Sequence, residues 1–568
     1  MTDNSSKHGL GQHFTPAPLV RLVCSLCIRG PSARVLDPAC GDGAFLRGAI
    51  ERLDSLGCAK TAPGQVCGFE IDPAHAESAR SIPQANVLAA DFFSRTPRPE
   101  FDCIVGNFPF VRQELLASRK KALVGLIQSE WALEFPPVMD LSARADLYLY
   151  FFFHAAKFLR PGGRMAVISG NSWLHVPYGR PLRRFLLDKM RLEMVLESRA
   201  ETFFPDTQAN ALVTVAQREA PARNVSFVQL ARPLDQPAAG LPAEARTREV
   251  PAGKLAASDD WNCHLRAPGV YFEVIEQAAQ RLVPLGQAAE VRRGVTTGLN
   301  SFFFIPDRKA AELRLEAEFL RPIVVSLKDV DSLILDPRHA KHRLLTVHGR
   351  DRQSFSGTNV LKYIEEFERS GRLPAKSPTL ESRRDWFSLA PPPPGHFVLP
   401  RFRRRRHFSP ANPAGILVGD TVFTARFHDS PHAPVCCAAA NCTLFHFLAE
   451  VTGRDNMGGG FITTYGPELK ALPLPNPQFL LKREAELGSA FEALARQPVR
   501  PTSDELDAPA RRRLDEEIWR VLELPAPLLD DLYAAFAEML AQRRRHGEMT
   551  RRAGRGSDGS AQAGRALT

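Results

Sequence analysis

Short apolar runs alternate with helix-like segments along roughly the first 220 residues of the chain. The runs are rich in β-branched residues and are typical of strands; they read ARVLD, VCGFEID, FDCIVGN, RMAVIS and ALVTVAQ. Segments such as DLYLYFFFHAAKFL lie between them and have the length and apolar content of buried helices. Strands that alternate with helices predict a doubly wound, Rossmann-like α/β domain, which we place at residues 1–220.

The pattern changes twice more along the chain. Residues 221–480 are irregular and rich in proline and arginine, and we interpret them as a separate mixed α/β domain. Residues 481–548 again have apolar positions three and four apart with prolines between the segments, which predicts C-terminal helices. Residues 549–568 are basic and almost without apolar side chains, and we expect a disordered tail.

Hydropathy and charge narrow the class of protein. The first ten residues are polar, and no stretch reaches the roughly 18 uninterrupted apolar residues of a membrane span. We therefore expect a cytoplasmic protein with no membrane partner. The 73 Lys and Arg exceed the 63 Asp and Glu, a net charge of +10 that suits a polyanionic partner without identifying one.

The cysteines do not indicate a metal site. Cys24 and Cys27 form a close pair, but no second pair accompanies them at the spacing of a zinc site. We expect both to be buried helix residues, and we predict no metal.

A glycine-containing turn and three acidic residues follow successive predicted strands. The first strand leads into VLDPACGDGAFL at 35–46, where Gly41 lets the backbone approach a ligand at the carboxyl end of the strand. Glu70 ends the second strand, where a carboxylate can accept both ribose hydroxyls of an adenosine. Asp91 ends the third and can accept the adenine amine, with the ring of Phe92 beside the base.

The same motifs exclude two common nucleotide sites. The GDG spacing is not the GxGxxG of a dinucleotide site, and no GxxxxGK[ST] loop is present. The sequence therefore has no motif that would bind a pyrophosphate. A ligand with an adenosine but no phosphate is indicated. This points to S-adenosylmethionine as the cofactor.

The fourth strand leads into Asn107, Phe108, Pro109 and Phe110 at the same edge of the sheet. An aromatic amine is a poor nucleophile, and two acceptors that hold its hydrogens would make it more nucleophilic. The Asn107 side-chain oxygen and the Phe108 carbonyl can be those acceptors, and Phe110 can stack on a base that has left its duplex. The alternative is a turn that ends a strand, with Pro109 fixing the backbone and Phe110 in the core.

In this order, the motifs resemble the gamma-class adenine-N6 DNA methyltransferases of the TaqI type. The resemblance spans residues 11–217, starts with GQHFTP ahead of the sheet, and includes the three acidic strand ends and NFPF. It implies that Phe14 and Thr15 contact the methionine part of the cofactor. The family pattern further implies the following cofactor and target-base residues: Asp37, Ala39 and Gly41 in the cofactor pocket, Glu70 on the ribose, Ile71 against the adenine, Asp91 and Phe92 at the adenine edge, Asn107 to Phe110 around the target base, and Phe204 on its other side.

The tetrapeptide departs from the family at one position. The family usually has NPPY or NPPF, and this chain has Phe108 in place of the first proline. Because the position contributes a backbone carbonyl, its role can survive, but we expect loss of the proline ring to free the loop. Asn107 at the head of the tetrapeptide, and the absence of any Pro-Cys dipeptide, argue against a cytosine methyltransferase.

The second domain resembles the target-recognition region of the same family. EVRRGVTTGLNSFFF at 290–304, GDTVFTA at 419–425 and GRDNMGGGFITTY at 453–465 carry this fainter likeness. Between them is an arginine-rich segment that we expect to contact DNA phosphates: Arg401, Arg403, Arg404, Arg405 and Arg406. A solvated charge run is the competing account.

The sequence thus predicts a site-specific DNA methyltransferase that modifies the N6 amine of adenine in double-stranded DNA. Restriction-modification or phage defence would be its setting, with a cognate endonuclease or defence subunits as possible partners. Two alternatives stay open. One is methylation of RNA or of a protein glutamine, and the other is a non-catalytic DNA-binding subunit of a defence complex.

Overall fold

The computed structural model describes residues 15–58, 60–110, 119–198, 203–204, 211–234, 241, 245–349, 352–454 and 460–563. The chain forms two compact units: the first comprises residues 1–266 together with the segment from residue 549, and the second comprises residues 267–548. The helices and strands of the first unit are α1 Ala17–Cys27, β1 Val35–Asp37, α2 Ala44–Ser55, β2 Val66–Glu70, α3 Pro73–Arg80, β3 Ala85–Ala89, β4 Phe101–Asn107, α4 Lys120–Trp131, α5 Leu147–Ala156, β5 Leu159–Gly170, α6 Arg180–Asp188, β6 Arg191–Ser198, β7 Ala211–Gln217, β8 Asn224–Leu230, β9 Arg246–Pro251, α7 Ala252–Ala256 and α8 Asn262–Arg266.

A single nine-stranded sheet organises the first unit. Its strand order is β3-β2-β1-β4-β5-β7-β6-β8-β9, and β1 to β5 are parallel while β7 runs antiparallel to both neighbours. The chain order reverses between β1 and β4. In open α/β sheets, ligands bind outside the carboxyl ends of the strands at such a switch point.

Both faces of this sheet are covered, which explains the continuous apolar runs of its strands. Side chains of α1 and α2, among them Val23 and Phe45, form one hydrophobic core with one face. Side chains of α4, α5 and α6, among them Ile127, Phe152 and Phe185, form the core on the other. Cys24 is fully buried on α1 with Cys27, as the sequence suggested.

The sheet corrects the domain boundary expected at residue 220. β8 pairs with β6, and β9 pairs with β8, so residues 224–251 extend the sheet of the first unit. The chain enters the second unit only at Ala267. The pairing of β8 with residues 32 positions earlier decided this boundary, and local composition does not encode such pairing.

The second unit is a mixed α/β unit with several small sheets. Its helices and strands are α9 Gly269–Gln277, β10 Leu282–Pro284, α10 Leu285–Ala288, β11 Ala289–Arg293, α11 Asn300–Phe303, β12 Phe304–Pro306, α12 Asp307–Glu312, β13 Leu320–Val324, β14 His342–Leu345, α13 Asn359–Arg369, α14 Pro378–Glu381, β15 Phe397–Pro400, β16 Phe402–Arg403, β17 Leu417–Val418, β18 Val422–Phe427, α15 Ala433–Ala439, α16 Thr443–Thr452, β19 Ile462–Thr463, α17 Gly466–Ala471, β20 Pro473–Pro475, α18 Pro477–Leu480, α19 Glu484–Ala495, α20 Thr502–Glu505, α21 Pro509–Leu522 and α22 Ala526–Ala563. The sheets are β11-β18-β15, β12-β14-β13-β17, β10-β20 and β16-β19.

The last helix corrects a second expectation. The segment from residue 549 was expected to be disordered, but α22 continues through Ala563. No proline interrupts the segment, and extending an established helix costs less than starting one, although Gly554, Gly556 and Gly559 disfavour helix. Residues 564–568 lie outside the described residues.

Neither a single membrane-spanning helix nor a metal-binding cluster occurs among the described residues. No single helix there has the length and apolar content to cross a membrane. Helices α15 and α16 have that length and apolar content only when they are taken together, and they are bent by 64° relative to each other. No group of three or more His, Cys, Asp or Glu side chains in the same residues is placed to hold a metal ion.

Candidate functional site

The carboxyl ends of β1 and β4 bring Asp37 and Asn107 to the switch point of the sheet. Gly106 of β4 packs against the Asp37 carboxylate so closely that a Cβ at Gly106 would lie only 2.7 Å from the Asp37 Oδ1 atom. This glycine is not among the site residues predicted from the sequence. Its signal was available, since a glycine inside a strand often marks the close approach of another group.

Asp37 has a buried carboxyl group, and only one of its two oxygens accepts a hydrogen bond from a described residue. Its Oδ1 accepts a hydrogen bond from the Ala39 backbone N–H at 3.0 Å. Its Oδ2 is buried, and no described residue donates to it. Burial raises the pKa of Asp37 to about 8, and the negative charge of Glu70 adds to the shift while the Ala39 bond opposes it. A buried acceptor of this kind is suited to a cationic ligand group.

Backbone donors fix the Glu70 carboxylate at the end of β2. Gly41 N–H donates to Oε2 at 2.9 Å, and Asp72 N–H donates to Oε1 at 2.8 Å. Gly41 has a φ of +54°, a conformation that glycine adopts without strain. The neighbouring Ile71 side chain is 49% exposed, one of the few large apolar side chains at the surface. An oriented carboxylate beside an exposed apolar side chain suits a ribose and its base.

Asp91 begins a short 3₁₀ turn after β3. Its Oδ1 accepts from Phe93 N–H at 3.2 Å, and its Oδ2 pairs with Arg119, a residue that sequence analysis did not single out. The position expected for Phe92 is wrong. Its ring is buried among Phe69 and other aromatic side chains, so it supports the turn from the core and offers no open face to a base.

A buried pair behind this turn was also missed in the sequence. His154 on α5 is fully buried, and its Nδ1 lies 2.8 Å from a Glu130 carboxylate oxygen of α4. Its Nε2 lies 3.3 Å from the Phe92 carbonyl oxygen. The two contacts tie α4 and α5 to the Asp91 turn. No sequence motif announces them, because the pairing depends on how two distant helices pack.

Asn107 has the unpartnered acceptor that the proposed chemistry needs. Its Nδ2 donates to Thr15 Oγ1 at 3.4 Å, which orients the amide and places Thr15 at the site. Its Oδ1 is buried, and no donor reaches it within the described residues. Phe14, the other predicted residue of that segment, lies outside the described residues.

Phe108 does not leave the loop free, which corrects the expectation for this substitution. Its backbone N–H donates to the Ile168 carbonyl of β5 at 2.9 Å, a bond that a proline at this position cannot make. Its ring is fully buried against Phe151 and Phe152. A hydrogen bond and core packing hold the segment where the family uses a second proline ring.

Phe110 and Phe204 lie in contact. Their ring centroids are 5.8 Å apart in an edge-to-face arrangement. The structure thus brings these two rings together, while their placement on the two sides of a target base stays a prediction. They do not leave a slot for a planar base between them in this structure.

The arginine-rich segment of the second unit divides by exposure, and Arg403 contradicts its predicted role. Strand β16 pairs with β19, and side chains alternate along a strand, so Phe402 faces outward and Arg403 inward. Arg403 is 0% exposed and donates to Thr464 Oγ1 at 2.7 Å, and burial lowers its pKa to about 10. A buried guanidinium cannot reach a phosphate. Arg404 and Arg405 are exposed.

Two family models match the chain in order. Residues 71–204 match the Eco57I restriction-modification methylase, and residues 271–502 match the C-terminal domain of the Type II methyltransferase M.Eco57I. Together they cover more than half of the chain. The first match contains the strand ends described above, and the second contains the arginine-rich segment.

Curated relatives and a solved structure agree with these matches. The Type II methyltransferase M.XamI of Xanthomonas campestris pv. amaranthicola is 27% identical over 60% of this chain and 66% of its own length, just under two thirds. M.AccI of Acinetobacter calcoaceticus is 22% identical over 69% and 71%. The Type IIL restriction-modification enzyme MmeI in complex with DNA superposes with a TM-score of 0.60 at 14% identity, over 91% of this chain and 73% of that one. The last likeness concerns the fold.

Proposed function

Because the chain belongs to the Eco57I family of restriction-modification methylases, we propose that it methylates the N6 amine of adenine at a specific sequence in double-stranded DNA. S-adenosylmethionine is the proposed methyl donor. The observation that carries the proposal is the buried Oδ1 of Asn107 at the sheet's switch point, to which none of the described residues donates a hydrogen bond. A buried acceptor without a donor is costly, and an amine hydrogen of the target base would satisfy it.

The residues of the first unit fit the proposed cofactor. Asp37 Oδ2 is a second buried acceptor without a described donor, suited to the cationic amino group of the methionine part. The Glu70 carboxylate is oriented to accept hydrogen bonds from the ribose hydroxyls. The exposed Ile71 side chain can pack against the adenine ring, and Asp91 would accept a hydrogen bond from the adenine amine. Thr15, Ala39 and Gly41 line the same edge. When bound, the cofactor supplies an electrophilic methyl group on a sulfonium.

The chain's own residues would prepare the nucleophile. Asn107 Oδ1 and the Phe108 carbonyl oxygen would each accept a hydrogen bond from one N–H of the amine. These two bonds would draw the nitrogen toward a tetrahedral form. Pro109 limits the backbone between Phe108 and Phe110. The Phe110 ring would pack beside the base, and it would have to separate from Phe204 for the base to lie between the two rings. These residues would hold the amine nitrogen toward the methyl group that the bound cofactor supplies, and the amine proton released on transfer would leave to solvent.

Sequencing of cellular DNA tests the proposal. DNA from a bacterial host without adenine methyltransferases, expressing this protein, is expected to contain N6-methyladenine at one short motif, as detected by single-molecule sequencing. The same host with an empty vector is the control. Absence of methyladenine, together with methyl transfer by the purified protein to RNA or to a protein glutamine, would overturn the assignment. Binding of cofactor without any transfer would favour a non-catalytic DNA-binding subunit.

A further inference from the structure

The arginine-rich segment borders a cavity of the second unit that is cationic and contains no acidic residue in its lining. The cavity has a volume of about 340 Å³ and is lined by Arg401, Arg404, Arg405 and Arg406 together with Lys328 from a distant part of the chain. Lys328, Arg404 and Arg405 are exposed, and no described residue forms an ion pair with their side chains. Three like charges without counterions around one cavity favour an anion.

The arginines of the segment have different tasks. Arg406 donates to the backbone carbonyls of Leu327, Lys328 and Val330, at 3.0, 2.7 and 2.7 Å. It therefore holds the short turn that carries Lys328 against the segment. Arg403 anchors β16 from inside. Two buried or half-buried arginines thus build the site, and Arg404 and Arg405 remain available to a ligand.

The rim of the cavity favours a nucleotide over a small free anion. Phe402 is 45% exposed, and its ring lies against the Arg401 guanidinium at 4.9 Å, which also lies 4.7 Å from the Tyr465 ring. Phe461 packs edge-to-face with Phe402, with the ring centroids 5.7 Å apart. An exposed, supported ring next to cations offers apolar contact for a sugar beside its phosphate. A hydrated inorganic anion gains nothing from such a ring.

We propose that this cavity binds a backbone phosphate of the DNA substrate through Lys328, Arg404 and Arg405, with Phe402 against the adjoining sugar. The inference rests on the proposed function and assigns Lys328 and the division of tasks among the arginines, neither of which the sequence indicated. Such contacts fix the register of the protein on DNA and carry no sequence information. The variants should therefore weaken binding to all duplexes alike.

Salt dependence of DNA binding measures the number of phosphates that the protein neutralises. Fluorescence anisotropy with a 30-base-pair duplex gives log Kd against log salt, whose slope changes by about 0.9 for each phosphate that is no longer neutralised. We expect the triple variant of Lys328→Gln, Arg404→Gln and Arg405→Gln to reduce the slope by about 0.9, the value for the one phosphate that the cavity binds, and each single variant to reduce it by only a part of that. Arg308→Gln, whose side chain is 92% exposed on α12 of the same unit, is the matched control and should leave the slope unchanged.

The outcomes separate this inference from the proposed function. A triple variant that retains the wild-type slope would overturn the proposed phosphate site. If the wild type still methylates DNA in that case, the proposed function stands. Failure of the wild type to bind or methylate any duplex would overturn both. Inorganic phosphate is the second probe: stabilisation of the wild type by millimolar phosphate, abolished in the triple variant while the DNA slope is unchanged, would identify a free-anion site and contradict the proposal. Circular dichroism of each variant checks folding.

Discussion

Replacing Asn107 by alanine is expected to lower the rate of methyl transfer by at least about 100-fold while leaving cofactor affinity within about threefold. Asn107 Oδ1 is the buried acceptor without a donor in the described residues, so its contribution is made to the reacting amine. Loss of a preorganised polar group at a reacting atom has effects of this size in other enzymes. Single-turnover transfer of a labelled methyl group to a duplex carrying the target motif measures the rate, and calorimetry measures cofactor binding.

Two further variants make the result specific. Asn107→Asp retains an acceptor oxygen at the same place, so it should retain more activity than Asn107→Ala. Asn224→Ala changes the same residue type at an exposed position at the start of β8, and should behave as the wild type. If Asn107→Ala turns over at the wild-type rate, the amine is held by other groups and the role of the tetrapeptide has to be revised.

The strand ends were predictable from the sequence because each is a local event. An apolar run, then an acidic residue, then a helix start is sufficient to place Asp37, Glu70 and Asp91 at one edge of a parallel sheet. Some of their hydrogen-bond partners follow from the same local turns, as with Asp37 and the Ala39 N–H two residues later. Others come from distant parts of the chain, as with Glu70 and the Gly41 N–H. Asn107 joined them because β4 is parallel to β1.

The remaining details depended on contacts between distant residues. Phe92 follows the motif of its family, yet packing against Phe69 and Phe158 takes its ring into the core. Arg403 belongs to a run of like charges, yet the β16–β19 pairing turns it inward. A one-residue shift of such a strand would exchange the buried and exposed arginines, and a sequence of five cations in six positions does not specify the register.

Asp37→Asn is expected to weaken cofactor binding and to remove most of its pH dependence. In the free protein, burial raises the pKa of Asp37 to about 8. A cationic group of the cofactor favours the ionised carboxylate, so binding in the wild type releases a proton below that pH. Its Kd should rise by nearly tenfold for each pH unit below about 8. The variant, titrated by calorimetry over the same range, reports any pH dependence of the cofactor itself.

The same substitution should stabilise the protein in the absence of cofactor. Because the pKa of Asp37 is raised from 3.8 to about 8 on folding, its contribution to stability is fully present below pH 3.8 and is lost as the pH rises through about 8. At high pH, ionisation of the buried carboxyl lowers the free energy of unfolding by about 1.4 kcal/mol for each unit of the pKa shift. Asparagine does not ionise and so avoids this penalty. Calorimetric melting should therefore give a higher Tm for Asp37→Asn than for the wild type near pH 9, with a difference that narrows toward pH 5. A variant that is less stable at every pH would mean that Asp37 is a structural anchor whose charge the fold requires, and the cationic subsite would have to be placed elsewhere.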